Sequence, residues 1–260
     1  MESRKAGRVQ REEGLPEIIG VFVEIGGFQR ISLMDYPGKI TSIIFVTGCN
    51  ARCPFCYTSD LVLKNYKKLR IYSEEEVLAK LEEGRKMIEA VDITGGEPTL
   101  QEGLEDFIKR CRDLGLLVKL DTNGTNPSLV KDFIRKGILD YIAMDIKTEL
   151  KEDKYLKALG VSDSGLFTAI KKSIKLIMGS GVDYEFKTTV VPSLVELEDP
   201  VKIARQIKGA NAYYLQQFLP ISTIDPSFMK IKPYSKEELE KISKKITEEK
   251  LVKKAEVRSY

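Results

Sequence analysis

The sequence predicts an α/β protein built as a partial barrel of six parallel strands joined by helices, with a short N-terminal β-hairpin and a C-terminal helix. Three observations carry this. From Ile40 onward, short apolar β-rich runs alternate with longer segments of helical period. Crossovers of that kind are right-handed and lay the strands parallel, in an open sheet or one curled into part of a barrel. At 260 residues and 42% apolar content, the chain can bury the core of one such domain.

Taken in order, residues 1–16 are polar and charged and read as a disordered leader, leaving 17–260 as a single domain. A hairpin is expected over 18–34, with Ile19 to Ile25 and Phe28 to Leu33 flanking Gly26-Gly27. The turn Asp35-Tyr36-Pro37-Gly38 leads into the first barrel strand, Ile40 to Val46, opening a barrel core over about 39–220. Ser73 and Glu76 form a capping box for a helix reaching about Ala90, with Val77, Leu81 and Ile88 on one face. Val91 to Thr94, a helix over about Gly103 to Leu114, and the strand Leu117 to Asp121 follow. Asn126, with Pro127 behind it, opens the next helix. Then come the strand Tyr141 to Ile146, a helix over about Ser164 to Gly179, the strand Tyr184 to Val191, a helix from about Asp199 to Lys208 and the strand Ala212 to Phe218. The remainder, 221–260, is expected to be a helical extension started by Ser235 and Glu238 and carrying Leu239, Ile242 and Ile246.

Composition excludes several classes of function. With no histidine, Ser-His-Asp and Cys-His catalysis and every histidine-containing metal site are ruled out. Forty-two basic against thirty-nine acidic residues, without a basic stripe, argue against a nucleic-acid partner. No apolar stretch reaches the roughly 18 residues of a membrane span and the N-terminus lacks an apolar signal core, so no membrane role is expected. A cytoplasmic location follows, where thiols stay reduced and available to metal.

Function concentrates at Cys49, Cys53 and Cys56, spaced C-x3-C-x2-C on a loop after the first barrel strand. Thiolates so spaced can wrap one iron–sulfur cluster, and three ligands to a four-iron cube leave one iron open. The plainer alternatives are a structural zinc completed by Cys111, or buried thiols. Cys111 itself falls on an apolar helix stripe with Phe107 and Ile108 and is expected in the core. Ligands in parallel α/β folds sit at the carboxyl ends of the strands. Those ends carry Thr94-Gly-Gly-Glu-Pro98, Asp121-Thr-Asn-Gly124, Asp145-Ile-Lys147, Lys187 to Thr189 and Gln216-Gln217. Asp121 and Asp145 repel each other if they converge, unless Lys147, the amino group of a bound ligand or a bound monovalent cation lies between them.

The cysteine loop, followed about forty residues later by Gly95-Gly96-Glu97-Pro98, resembles the radical S-adenosylmethionine superfamily. The run Gly27-Phe-Gln-Arg-Ile-Ser-Leu-Met-Asp-Tyr-Pro-Gly38 is similar to the lead-in of the activating proteins of anaerobic ribonucleoside-triphosphate reductase and related glycyl-radical enzymes; the resemblance covers roughly 27–217. It implies that Cys49, Cys53 and Cys56 hold a [4Fe-4S] cluster and that Gly95, Gly96 and Glu97 receive the amino end of S-adenosylmethionine. It also implies that Phe55 and the Tyr57 backbone flank the adenine, and that Asp121, Asn123, Asp145 and Lys147 lie on the cofactor side. Tyr57-Thr58 stands where the family commonly has His-Asn. A flavodoxin or ferredoxin would supply the electron, and the radical formed would take hydrogen from a glycine of the partner. Two other readings stay open: a radical enzyme acting on a small molecule, such as a deazapurine synthase, and a non-enzymatic iron–sulfur or zinc module.

Overall fold

The computed structural model describes residues 22–259. The leader expected over 1–16 and the first part of the expected hairpin lie outside them. Eight strands form one sheet in the order of the chain. They are β1 (Ile25–Ser32), β2 (Thr41–Val46), β3 (Ala90–Gly95), β4 (Leu117–Thr122), β5 (Tyr141–Asp145), β6 (Asp183–Val190), β7 (Tyr213–Gln217) and β8 (Ala255–Arg258). β1 is antiparallel to β2, and every later neighbour pair is parallel. The crossovers carry α1 (Ser59–Val62), α2 (Glu74–Gly84), α3 (Leu104–Asp113), α4 (Pro127–Lys136), α5 (Glu152–Leu159), α6 (Ser164–Met178), α7 (Asp199–Gln206) and α8 (Lys236–Glu248).

Strand alternation splits this sheet into two chemically different faces. Ile44, Ile93, Leu120, Met144, Phe186 and Leu215 are fully buried, in one core with helix residues such as Phe107, Val130, Phe133 and Ile170. The next residue in each strand faces the other way: Phe45, Thr94, Asp121, Asp145, Lys187 and Gln216 all line one pocket. A one-residue slip in any strand would exchange these sets, so burial of the apolar face fixes where the polar one points.

The local start signals hold. The Ser73 hydroxyl accepts from Glu76 N at 3.1 Å, Asn126 accepts from Leu129 N at 3.3 Å, and Ser235 with Glu238 makes both halves of a capping box.

Four expectations change. Gly26-Gly27 is not a hairpin turn but a register irregularity inside β1, which pairs with β2 instead. Glycine is needed there for close approach: a Cβ on Gly26 would lie 2.6 Å from both Leu61 Cδ2 and Thr47 Cγ2. The helix expected to reach Ala90 stops at Gly84, because the chain turns back and Ile88 packs over that glycine, 2.3 Å from where a Cβ would stand. A helix of eight residues, α5, was not anticipated; Lys151 at its start offers no side-chain cap to signal it. The C-terminal segment is not wholly helical, since it ends in β8, parallel to β7. Arg258 on β8 donates to the fully buried Glu185 of β6, at 2.8 Å from Nη2, and its guanidinium lies 3.6 Å over the Tyr214 ring. That long-range ion pair has no local sequence signal.

Candidate active site

The cysteine loop leaves β2 through Gly48, whose φ of +78° suits glycine. Its backbone is then held from several sides. Gly48 N donates to Leu61 O at 2.9 Å and Glu97 N donates to Gly48 O at 2.8 Å. Arg52 N donates to Leu159 O at the end of α5 (2.8 Å), and Asp225 N donates to Pro54 O (2.9 Å). Gly160, the left-handed cap of α5, sits so close that a Cβ would be 2.1 Å from Arg52 O. The Arg52 guanidinium bridges Cys49 O and Ala51 O at 2.6 and 2.8 Å.

So fixed, Cys49, Cys53 and Cys56 are free thiols lining the same pocket, while Cys111 is buried on α3 among core residues, as its stripe position predicts. Donors already face the sulfurs: Ala51 N lies 3.3 Å and Asn123 Nδ2 3.7 Å from Cys49 Sγ, and the Thr58 hydroxyl lies 3.3 Å from Cys56 Sγ. Burial pushes the Cys53 thiol up to about 12, against the opposing pull of Lys147, and raises Cys49 as well. Such thiols hold their protons until a metal displaces them. Three thiols lining one pocket, in a chain without histidine, are a donor set that fits an iron–sulfur cube, which takes each thiolate on a separate iron.

The turn after β3 completes the floor. Gly95 has φ +114° and lies where a Cβ would be 2.5 Å from Val46 O; Gly96 packs on the cysteine loop, its Cβ position 1.9 Å from Gly48 O. Only glycine allows both approaches. Gly95 and Gly96 line the pocket, but Glu97 is turned away from it and fully buried. Its carboxylate accepts from Thr99 N (3.1 Å), Thr99 Oγ1 (2.6 Å), Thr122 Oγ1 (2.8 Å) and Asn123 N (2.7 Å). This side chain ties the turn after β3 to the end of β4.

Phe55 and Tyr57 both line the pocket, the first buried and the second half exposed. Asn123 is buried, donating from Nδ2 to Asn50 Oδ1 at 3.0 Å and accepting from Thr125 N at 2.9 Å. Asp121, Asp145 and Lys147 do converge, and Lys147 Nζ donates to Asp145 Oδ2 at 2.9 Å. Beneath them Lys119, almost wholly buried, reaches both Asp92 and Asp121 at 2.8 Å. Burial favours the neutral carboxyl at Asp121, but Lys119 and Lys187 outweigh it and hold the group well below the usual carboxylate range. Lys187 donates to Asp121 Oδ2. It was legible only as a strand-end residue; the alternation Glu185, Lys187, Thr189 on β6 was the available sign that it faces inward. Thr94, Thr189 and Gln216 join the wall in the same way.

Residues 43–211 match the radical SAM superfamily, and the chain belongs to it. A relative from Methanocaldococcus jannaschii, named "Putative glycyl-radical enzyme activating enzyme", is 34% identical over 228 residues, covering 85% of this chain and 92% of its own. The pyruvate formate-lyase-activating enzyme of Clostridium pasteurianum is 28% identical over 210 residues, covering 78% and 84%. Among solved structures, Streptococcus suis SuiB bound to its precursor peptide SuiA shares the fold, with a TM-score of 0.64 at 15% identity over 82% of this chain. The chain spans about half of SuiB, 48% of its length. The protein is thus a radical S-adenosylmethionine enzyme, with a [4Fe-4S] cluster and S-adenosylmethionine as cofactors. Among the described residues no helix is long and apolar enough to cross a membrane.

Proposed function

We propose that this enzyme is a glycyl-radical activating enzyme whose partner is an anaerobic ribonucleotide reductase, acting in the cytoplasm with a flavodoxin or ferredoxin as electron donor. The observation that carries the reading is a single pocket in which three free thiols, a glycine turn and a buried ion network meet. The names of the Methanocaldococcus and Clostridium relatives support the activase class.

In this reading Cys49, Cys53 and Cys56 hold the cluster. When bound, the reduced cluster supplies the electron that cleaves S-adenosylmethionine to methionine and the radical that takes hydrogen from the partner's glycine. The chain's own residues bind and orient. Gly95 and Gly96 give the amino end of the cofactor a surface of bare backbone, with no side chain to hold it off. Phe55 supplies a buried ring and Tyr57 a backbone edge for the adenine. Asp121, Asn123, Asp145 and Lys147 form the polar wall facing the cofactor. Burial would lower the Lys147 pKa, but Asp145 outweighs it and holds the group raised, so its ammonium stays charged and orients rather than exchanging protons. No histidine is needed for any of these roles.

The test is anoxic reconstitution with iron and sulfide, then dithionite and S-adenosylmethionine. Formation of 5'-deoxyadenosine establishes the chemistry, and a glycyl EPR doublet that depends on an added anaerobic reductase establishes the partner. Cleavage that proceeds with no doublet on any glycyl-radical enzyme would move the assignment to a small-molecule substrate.

A further inference from the structure

The cysteine loop has a second side. A groove of about 330 Å³ is lined there by Gly48, Cys49 and Arg52 of the loop, by Leu63 and Lys64 just after α1, and by Leu100. Of the residues lining the cofactor pocket it shares only Cys49 and Val62, so Cys49 stands as a thin wall between the two. Leu63 is 51% and Leu100 44% exposed, two large apolar side chains left open beside the loop. Arg52 and Lys64 are the charged residues of the lining, and both are basic. Lys64 has a backbone φ of +54°, uncommon for a lysine, and its stem lies over Gly48, where a Cβ would be 2.8 Å from Lys64 Cε. From Tyr57 to Tyr72 the chain carries Lys64, Lys67, Lys68 and Arg70 against Asp60 alone. Glu24, Asp60 and Glu76 answer Lys64, Lys68 and Arg70. Among the described residues no carboxylate answers the exposed Lys67 or Arg52, whose guanidinium is held by two backbone carbonyls instead.

We propose that this groove is the docking surface for an acidic ferredoxin, which delivers its electron across Cys49. The carrier loses one electron and the cluster gains it; no bond and no proton moves. In the reading under Proposed function, on which this rests, the cofactor pocket is taken by S-adenosylmethionine and the partner's glycine, so the electron enters from the other side of the loop. A recess suits a carrier that holds its own cluster on a short run of cysteines. The uncompensated basic side chains steer a negatively charged partner, and the two bare leucines give it a small apolar footing. A contact of that kind is transient, as redox encounters with small interfaces are.

The experiment uses the reconstituted protein and an acidic ferredoxin carrying two [4Fe-4S] clusters. It compares wild type, Leu63→Glu, Leu63→Lys and a control, Leu33→Glu. Leu33 is 72% exposed and follows Ser32, which pairs with Thr41 at the start of β2, whereas the cysteine loop follows the end of that strand. Two quantities are read: ferredoxin affinity at low and at high ionic strength, and S-adenosylmethionine cleavage driven by reduced ferredoxin or by dithionite, a small reductant that needs no docking. Wild-type affinity is expected to weaken as salt is added. Leu63→Glu should lose about tenfold or more in affinity at low salt, and Leu63→Lys less than about threefold, since both remove the leucine but only the first repels an acidic partner. Leu33→Glu should bind as wild type does, and dithionite should drive cleavage equally in all four. Should Leu63→Glu fail to fold, Leu100→Glu and Leu100→Lys decide the matter by the same comparison. Equal affinity in Leu63→Glu and Leu63→Lys, or wild-type binding indifferent to salt, overturns the proposal. Cleavage with dithionite but no ferredoxin binding to wild type overturns it alone; no cleavage with dithionite in wild type overturns the reading under Proposed function and this proposal with it.

Discussion

Replacing Glu97 separates a structural carboxylate from a ligand. In Glu97→Ala the backbone N–H groups of Thr99 and Asn123, now at 3.1 and 2.7 Å from the carboxylate, lose their acceptor in a site closed to water. Each buried donor left unpaired costs about 1–3 kcal/mol, while the Thr99 and Thr122 hydroxyls can rotate toward other acceptors. Part of this is returned, because burial penalises the Glu97 carboxylate and raises its pKa. A net destabilisation of about 3–4 kcal/mol is expected. Glu97→Gln fills the same space and keeps one acceptor oxygen, so about 1–2 kcal/mol is expected. Urea denaturation of the metal-free protein reads both; with a slope of about 2–3 kcal/mol/M, the alanine variant's midpoint falls by about 1 M or more. An unchanged midpoint in Glu97→Ala, with S-adenosylmethionine binding alone weakened, would show that the carboxylate serves the cofactor and that this account is wrong.

Gly96→Ala forces a methyl group to within 1.9 Å of Gly48 O, a backbone atom that cannot step aside. It should cost about 2–3 kcal/mol and lower the iron retained per chain after reconstitution. Cys53→Ala should abolish iron retention, whereas Cys111→Ala should retain iron fully and cost about 1–2 kcal/mol in denaturation, as a small core cavity does. Asp199 is fully buried and accepts from Lys154, from Lys202 at 3.0 Å and from Glu196 N at 2.8 Å. Burial pushes its pKa up, but these bonds outweigh that and leave it lowered. A depressed carboxyl stabilises the fold above its unfolded value and loses that contribution as pH falls through the folded one. The difference in urea midpoint between wild type and Asp199→Asn should therefore be full at about pH 6 and shrink below about pH 4.

How much the chain announces in advance depends on distance along it. The cysteine loop and Gly95-Gly96-Glu97-Pro98 are each contiguous, and the resemblance they carry pointed to the superfamily and its cofactors. The strand–helix alternation placed all six barrel strands, because a strand's apolar face and a helix's apolar stripe are periodicities within a few residues. The strand ends were legible as the rim, but which residue of each pair faces the pocket is set by the alternation the structure shows. Gly26-Gly27 misled for the opposite reason: a glycine pair reads as a turn locally, and only the neighbouring Leu61 and Thr47 show that it is there to admit them.

What the sequence determined by itself is the chemistry: three sulfurs on one loop, a glycine turn, and polar groups at successive strand ends. What the tertiary structure decided is how the charges are shared. That Glu97 serves the loop after β4, that Lys187 answers Asp121, and that Arg258 on β8 answers Glu185 are pairings across 26, 66 and 73 positions of chain. Such pairings leave no local pattern, because an ion pair is selected by the distance between folded strands and by the water they exclude, and neither exists until the sheet has closed around it.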